Sequence, residues 1–86
     1  MKHELEQTGW SFELTTLPQS KAEIFSDVIY EEAKGIRKNG AILISAMKAG
    51  WLLGDWDVPN MLPSQVAWMA GVITQEYVDA ITIPKA

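Results

Sequence analysis

The chain has 86 residues, 48 % of them hydrophobic, with 7 basic against 11 acidic side chains and a net charge of −4. A chain this short makes one domain, residues 1–86, with a marginal core, and its hydrophobic content excludes disorder, which needs low hydrophobicity and high net charge. The acidic balance repels phosphate backbones and removes the main electrostatic term of nucleic-acid binding, while the lack of cysteine excludes disulfides and thiolate metal sites.

Residues 1–9 are polar and show no period, so they read as a flexible arm; without an apolar h-region they also argue against secretion by a signal peptide. His3, the only histidine, has no metal-ligand partner nearby in sequence and reads as a solvated side chain. Over 10–16 the pattern alternates, with Trp10, Phe12 and Leu14 on one side and Ser11, Glu13 and Thr15 on the other, as in a half-buried strand. No second strand is evident. The segment is therefore expected either to lie extended across the helices or to pair with another chain, which makes Trp10, Phe12 and Leu14 the candidates for self-association and a homo-oligomer.

Ser20 and Glu23 form an S-x-x-E capping box that opens a first helix, predicted over 20–38. Phe25, Val28, Ile29, Ala33 and Ile36 recur on one face, with Lys21, Asp27, Glu31 and Lys34 on the other. Glu31 and Glu32 diverge by about 100° around a helix and do not converge as an acid/base pair. Arg37-Lys38-Asn39-Gly40 reads as a stop signal, or as a kink with Asn39 capping the next helix; the basic cluster Lys34, Arg37 and Lys38 reads as a solvated helix end.

A second helix is predicted over 41–53, with Ile42, Leu43, Ala46, Met47 and Leu53 toward the core, the small residues Ala46, Ala49 and Gly50 allowing close approach, and Gly54 as the C-terminal cap. This longest apolar run is interrupted by Lys48 and is shorter than the roughly 20 residues of a membrane span, so a soluble protein is expected. The loop Gly54 to Pro63 follows, with Asp55 and Asp57 around Trp56. A third helix is predicted over 64–82, with Pro63 in its first turn and Ser64 as cap. Val66, Ala70, Ile73, Tyr77 and Ile81 form its stripe, Trp68 and Val72 widen it, Ala67, Gly71 and Thr74 make a small-residue line, and Ile83-Pro84 ends it. The fold class expected is a mainly α domain of three helices with an N-terminal extended or strand-like segment.

Catalytic chemistry has no foothold in this pattern. No serine or threonine is placed with a base and an orienting group, the six glycines are scattered rather than gathered into a phosphate cradle, and Asp-Trp-Asp supplies too few oxygen ligands at too short a spacing for a calcium loop. No enzyme, cofactor or metal site is expected. Four tryptophans in so small a domain are hard to bury completely. The expected function is therefore protein binding, through an apolar surface around Trp51, Trp56, Met61 and Trp68, with Asp55 and Asp57 beside it.

The order of features in the C-terminal half is similar to that of the small helical tail assembly chaperones of long-tailed bacteriophages. A helix ends at Gly50-Trp51, the acidic loop Asp55-Trp56-Asp57 follows, and Leu62-Pro63-Ser64 with Val66 and Trp68 opens a last helix that stops at Ile83-Pro84. The resemblance implies a non-enzymatic, mostly helical protein that binds the tape measure protein in the host cytoplasm and assists tail tube assembly. The alternating Trp10–Leu14 segment and the short chain depart from a longer chaperone. Two other classes compete with this reading. One is a small acidic regulator or inhibitor of a host protein, using Glu23, Asp27, Glu31 and Glu32; the other is a structural subunit that exchanges the strand at Trp10, Phe12 and Leu14.

Overall fold

The computed structural model describes residues 1–32 and 38–82, the side chains of 29–32 and 38 excepted. Two short strands, β1 (Lys2–Leu5) and β2 (Trp10–Glu13), precede three helices, α1 (Gln19–Glu32), α2 (Lys38–Lys48) and α3 (Pro63–Ile81). The domain is mainly α with a small N-terminal sheet, the architecture expected.

The first nine residues are not a frayed arm. β1 pairs antiparallel with β2 in the register Lys2↔Glu13, His3↔Phe12, Glu4↔Ser11, Leu5↔Trp10. The turn closes at Gly9 (φ +75°), with the Thr8 hydroxyl donating to the Leu5 carbonyl at 2.8 Å and accepting from the Trp10 N–H at 3.1 Å. β1 alternates as β2 does: His3 and Leu5 are half-buried while Lys2 and Glu4 are exposed. Trp10, Phe12 and Leu14 thus lie across the helices as expected, and their strand partner is the chain's own start.

The ladder extends on the other side of β2. Leu14 bridges Leu52, the Thr15 N–H donates to the Trp51 carbonyl and the Leu53 N–H to the Glu13 carbonyl, both at 2.9 Å. This pairing explains why α2 ends at Lys48 and does not run to Leu53. Gly50 adopts φ +73°, its N–H donates to the Met47 carbonyl, and the Trp51 N–H reaches back to the Ala46 carbonyl, both at 3.0 Å. These are the two bonds of a Schellman cap. Lys21 of α1, expected on a solvated face, donates from Nζ to the Gly50 carbonyl at 3.1 Å, placing a cation at the negative end of α2.

Other helix ends also differ from expectation. α1 begins at Gln19, so Ser20 lies inside its first turn, and Glu23 accepts from the Gln19 side-chain amide at 3.3 Å, not from a capping-box amide. α2 starts at Lys38, so Asn39 and Gly40 open a helix that they were expected to precede. Residues 33–37 lie outside the described residues, and with them Lys34, Arg37 and the question of a kink there; so does the stop at Ile83-Pro84. The N-cap of α3 is Leu62, with no side-chain cap bond, so Ser64 does not cap; Pro63 occupies the first turn as predicted.

α2 is the central helix, packed against both α1 and α3. The core runs from Phe12 and Leu14 through Phe25, Ile42, Leu43 and Ala46 to Trp51, Leu52, Met69 and Ile73. Met69 is fully buried although it lies off the predicted α3 stripe, while Leu53 and Ile81, placed in the core by pattern, are exposed. The one buried polar side chain among the described residues, Ser45, donates to the Ala41 carbonyl one turn earlier at 2.6 Å, a bond that satisfies a hydroxyl within a helix.

Gly71 gives a first expected result. It is exposed in mid-helix, its φ is not positive, and a Cβ added there would meet nothing within 4 Å. Gly71→Ala should raise stability by about 1 kcal/mol, the propensity difference in a helix interior. Urea unfolding monitored by circular dichroism measures it, and a loss of stability would mean that this position is constrained in a way the fold does not show.

Candidate protein-binding surface

The predicted surface divides into three parts. Trp51 is 2 % exposed and belongs to the core. The Schellman turn at Gly50 swings it inward, where it meets Phe25 edge-on at 5.3 Å and Tyr77 at 6.5 Å between ring centroids. Trp68 is half-buried and holds the hairpin on α3, edge-on to Phe12 at 5.2 Å and 6.3 Å from Trp10. Trp56, Met61, Asp55 and Asp57 remain together on the connection between α2 and α3, where they were expected.

That connection is braced from within. The Trp56 indole Nε1 donates to the Leu53 carbonyl at 2.8 Å, and the ring packs so close to Gly54 that a Cβ there would stand 2.9 Å from Nε1. Gly54, at φ +102°, is therefore a seat for the indole and not a helix cap. Beyond it, Val58–Asn60 form a 3₁₀ turn in which Asn60 donates from its side chain to the Asp57 carboxylate at 2.6 Å and from its N–H to the Asp57 carbonyl at 3.0 Å. Val58 reaches back to the first turn of α2, close enough that a Cβ on Gly40 would lie 3.3 Å from its Cγ1. The connection thus returns along α2 as a folded segment.

Two large apolar side chains bracket it in water: Leu53 is 41 % and Leu62 is 59 % exposed. Between them Trp56, Val58 and Met61 are half-buried against the core, and Asp55 and Asp57 are exposed. Sequence reasoning missed both leucines. Leu53 was placed inside a helix that ends earlier, and Leu62 carried a readable signal, an apolar residue directly before the helix-opening Pro63.

The proposed self-association set is corrected by burial. Phe12 and Leu14 are 4 % and 2 % exposed and lie inside the domain, and Trp10 rests on Trp68. Strand exchange through them would require opening the hairpin. The alternation of hydrogen-bonded pairs turns the free backbone edge of β1 outward at Lys2 and Glu4, whose side chains form an ion pair at 3.1 Å; charged edge strands resist pairing with other chains. His3 is likewise not solvated. Its ring lies 5.2 Å from Phe12, and Nε2 is buried without a hydrogen bond, 3.7 Å from a Glu76 carboxylate oxygen.

Among the described residues no three His, Asp or Glu side chains gather where they could hold a metal ion, and no helix is long and apolar enough to cross a membrane. No family model, curated protein or solved structure matches the chain.

Proposed function

We propose that this chain is a non-enzymatic protein-binding module whose binding element is the braced connection Leu53–Leu62, and that it acts as an assembly chaperone of the tail-assembly kind it resembles, with the tape measure protein as partner and the host cytoplasm as its place of action. The observation that carries the reading is the exposure of Leu53 and Leu62 on a segment held rigid by the Trp56–Leu53 and Asn60–Asp57 bonds. Burying a leucine side chain against a partner is worth about 1.5–3 kcal/mol. A loop already ordered also loses little conformational entropy on binding. The half-covered Trp56 and Met61 between the leucines supply the aromatic and adaptable contacts that concentrate at binding hot spots.

The test is recovery of the tagged protein from its native cell or infection, with mass spectrometry of what co-purifies, beside Trp56→Ala and Leu62→Asp forms. A long coiled-coil partner, held at high salt and lost from both variants, is the expected result. Recovery of a host enzyme that salt releases and both variants retain would replace this reading with the acidic inhibitor, for which Glu23 and Asp27 stand exposed one turn apart on α1.

A further inference from the structure

The side chains around Leu53 bear on what the connection binds. Burial alternates along residues 52–58: Leu52, Trp56 and Val58 pack on the core, while Leu53, Asp55 and Asp57 are exposed. The antiparallel bridge between Leu14 and Leu52 sets Glu13 opposite Leu53, and the Leu53 N–H donates to the Glu13 carbonyl at 2.9 Å. Residues opposite one another on adjacent strands carry their side chains on the same face. Glu13 is exposed as well. The uncovered leucine thus has one carboxylate across the ladder and two more following it on the exposed side of the chain.

Among the described residues none of these three carboxylates forms an ion pair. Asp57 accepts from the neutral amide of Asn60. Lys2, which stands opposite Glu13 on β1, is held by Glu4 at 3.1 Å. No Lys, Arg or His occurs between Lys48 and Lys85, so the connection carries no positive side chain of its own.

Apolar surface and charge together select the occupant. A second copy docked through the same surface would set its own Glu13, Asp55 and Asp57 against these, and like charges juxtaposed across an interface oppose association. A segment with apolar side chains beside Lys or Arg covers the leucine and meets the carboxylates at the rim.

We propose that the Leu53–Leu62 connection and the adjoining Glu13 dock a basic, apolar segment of the partner protein, with its apolar side chains on Leu53 and Leu62 and its Lys or Arg side chains against Glu13, Asp55 and Asp57. This rests on the protein-binding reading of the connection and adds the charge of what it binds. Charges at a rim set the rate of approach more than the hold. Salt therefore slows formation of the complex, while its lifetime, set by the leucines, survives high salt.

The probe is a displayed library of random peptides, selected on the wild-type chain and sorted by loss of binding to Leu62→Asp. Peptides that need Leu62 are expected to combine Leu, Ile or Phe with Lys or Arg. In binding kinetics at low salt, the Glu13→Gln/Asp55→Asn double variant, both changes exposed and isosteric, should slow their association at least about fivefold and leave dissociation nearly unchanged. Neutral or acidic peptides that need Leu62, or an association rate indifferent to the double variant, would overturn this inference and leave the binding loop standing. A wild-type dimer in sedimentation equilibrium that Leu62→Asp dissociates would overturn it by seating a second copy there. If no selected peptide depends on Leu62 or Trp56, the loop reading itself falls, and this inference with it.

Discussion

Trp51→Ala is expected to cost about 3–5 kcal/mol, the range for removing a buried aromatic side chain. Trp51 joins three elements: Phe25 comes from α1, Tyr77 from α3, and Trp51 itself follows the cap of α2, with the Phe25 and Tyr77 rings also 4.9 Å apart. Truncating it removes the shared member of this cluster at a site that is 2 % exposed. A domain of this size has roughly 4–13 kcal/mol of stability in total, so the variant should melt far below the wild type or lose its cooperative transition. Thermal unfolding followed by circular dichroism decides the matter. A loss under 1 kcal/mol would mean that Trp51 is not the packing centre, and the corrected assignment of this residue from surface to core would fail with it.

Gly54→Ala is the second large effect. A non-glycine residue held at φ near +102° costs on the order of 1–3 kcal/mol, and the added Cβ would stand 2.9 Å from Trp56 Nε1. The indole must leave its seat, which breaks its bond to the Leu53 carbonyl. The expected outcome is a lower melting temperature, by roughly 4–8 °C per kcal/mol, with a red shift of tryptophan emission that disappears in a Trp56→Phe background. Partner capture should weaken as well, because the loop loses its brace. Unchanged stability and emission would show that Trp56 does not rest where the structure puts it.

These two positions also show what could be read from the sequence. The three helices were legible because apolar residues at steps of three and four are a local signal, and Val66, Ala70 and Ile73 are buried as their spacing requires. Where α2 stops was not legible. Gly50 and Gly54 are both acceptable helix-ending residues by local rules, and the choice between them is made by the pairing of Leu52 with Leu14, distant in sequence. The fate of Trp51 follows from that choice, so a residue that looked like the lip of a loop lies in the core. β1 was missed for a different reason: its inward positions are His3 and Leu5, and a histidine does not register as apolar until Phe12 stands opposite it. On the candidate surface, Trp56, Met61 and the two aspartates were found by composition. Leu53 emerges only once the end of α2 is fixed, whereas Leu62 is readable from its place directly before Pro63.

The hairpin has a consequence for how the chain emerges from the ribosome. Its two strands are joined by a four-residue turn and can close in about 1–10 μs, yet the inner face of Trp10 and Phe12 is completed by Trp68, more than half the chain later. At about 5–20 residues per second of synthesis, that face waits on the order of seconds for its cover. An isolated two-stranded hairpin is marginally stable at best in water, so the aromatic face of β2 is held firmly only once α3 has been made and Trp68 covers it.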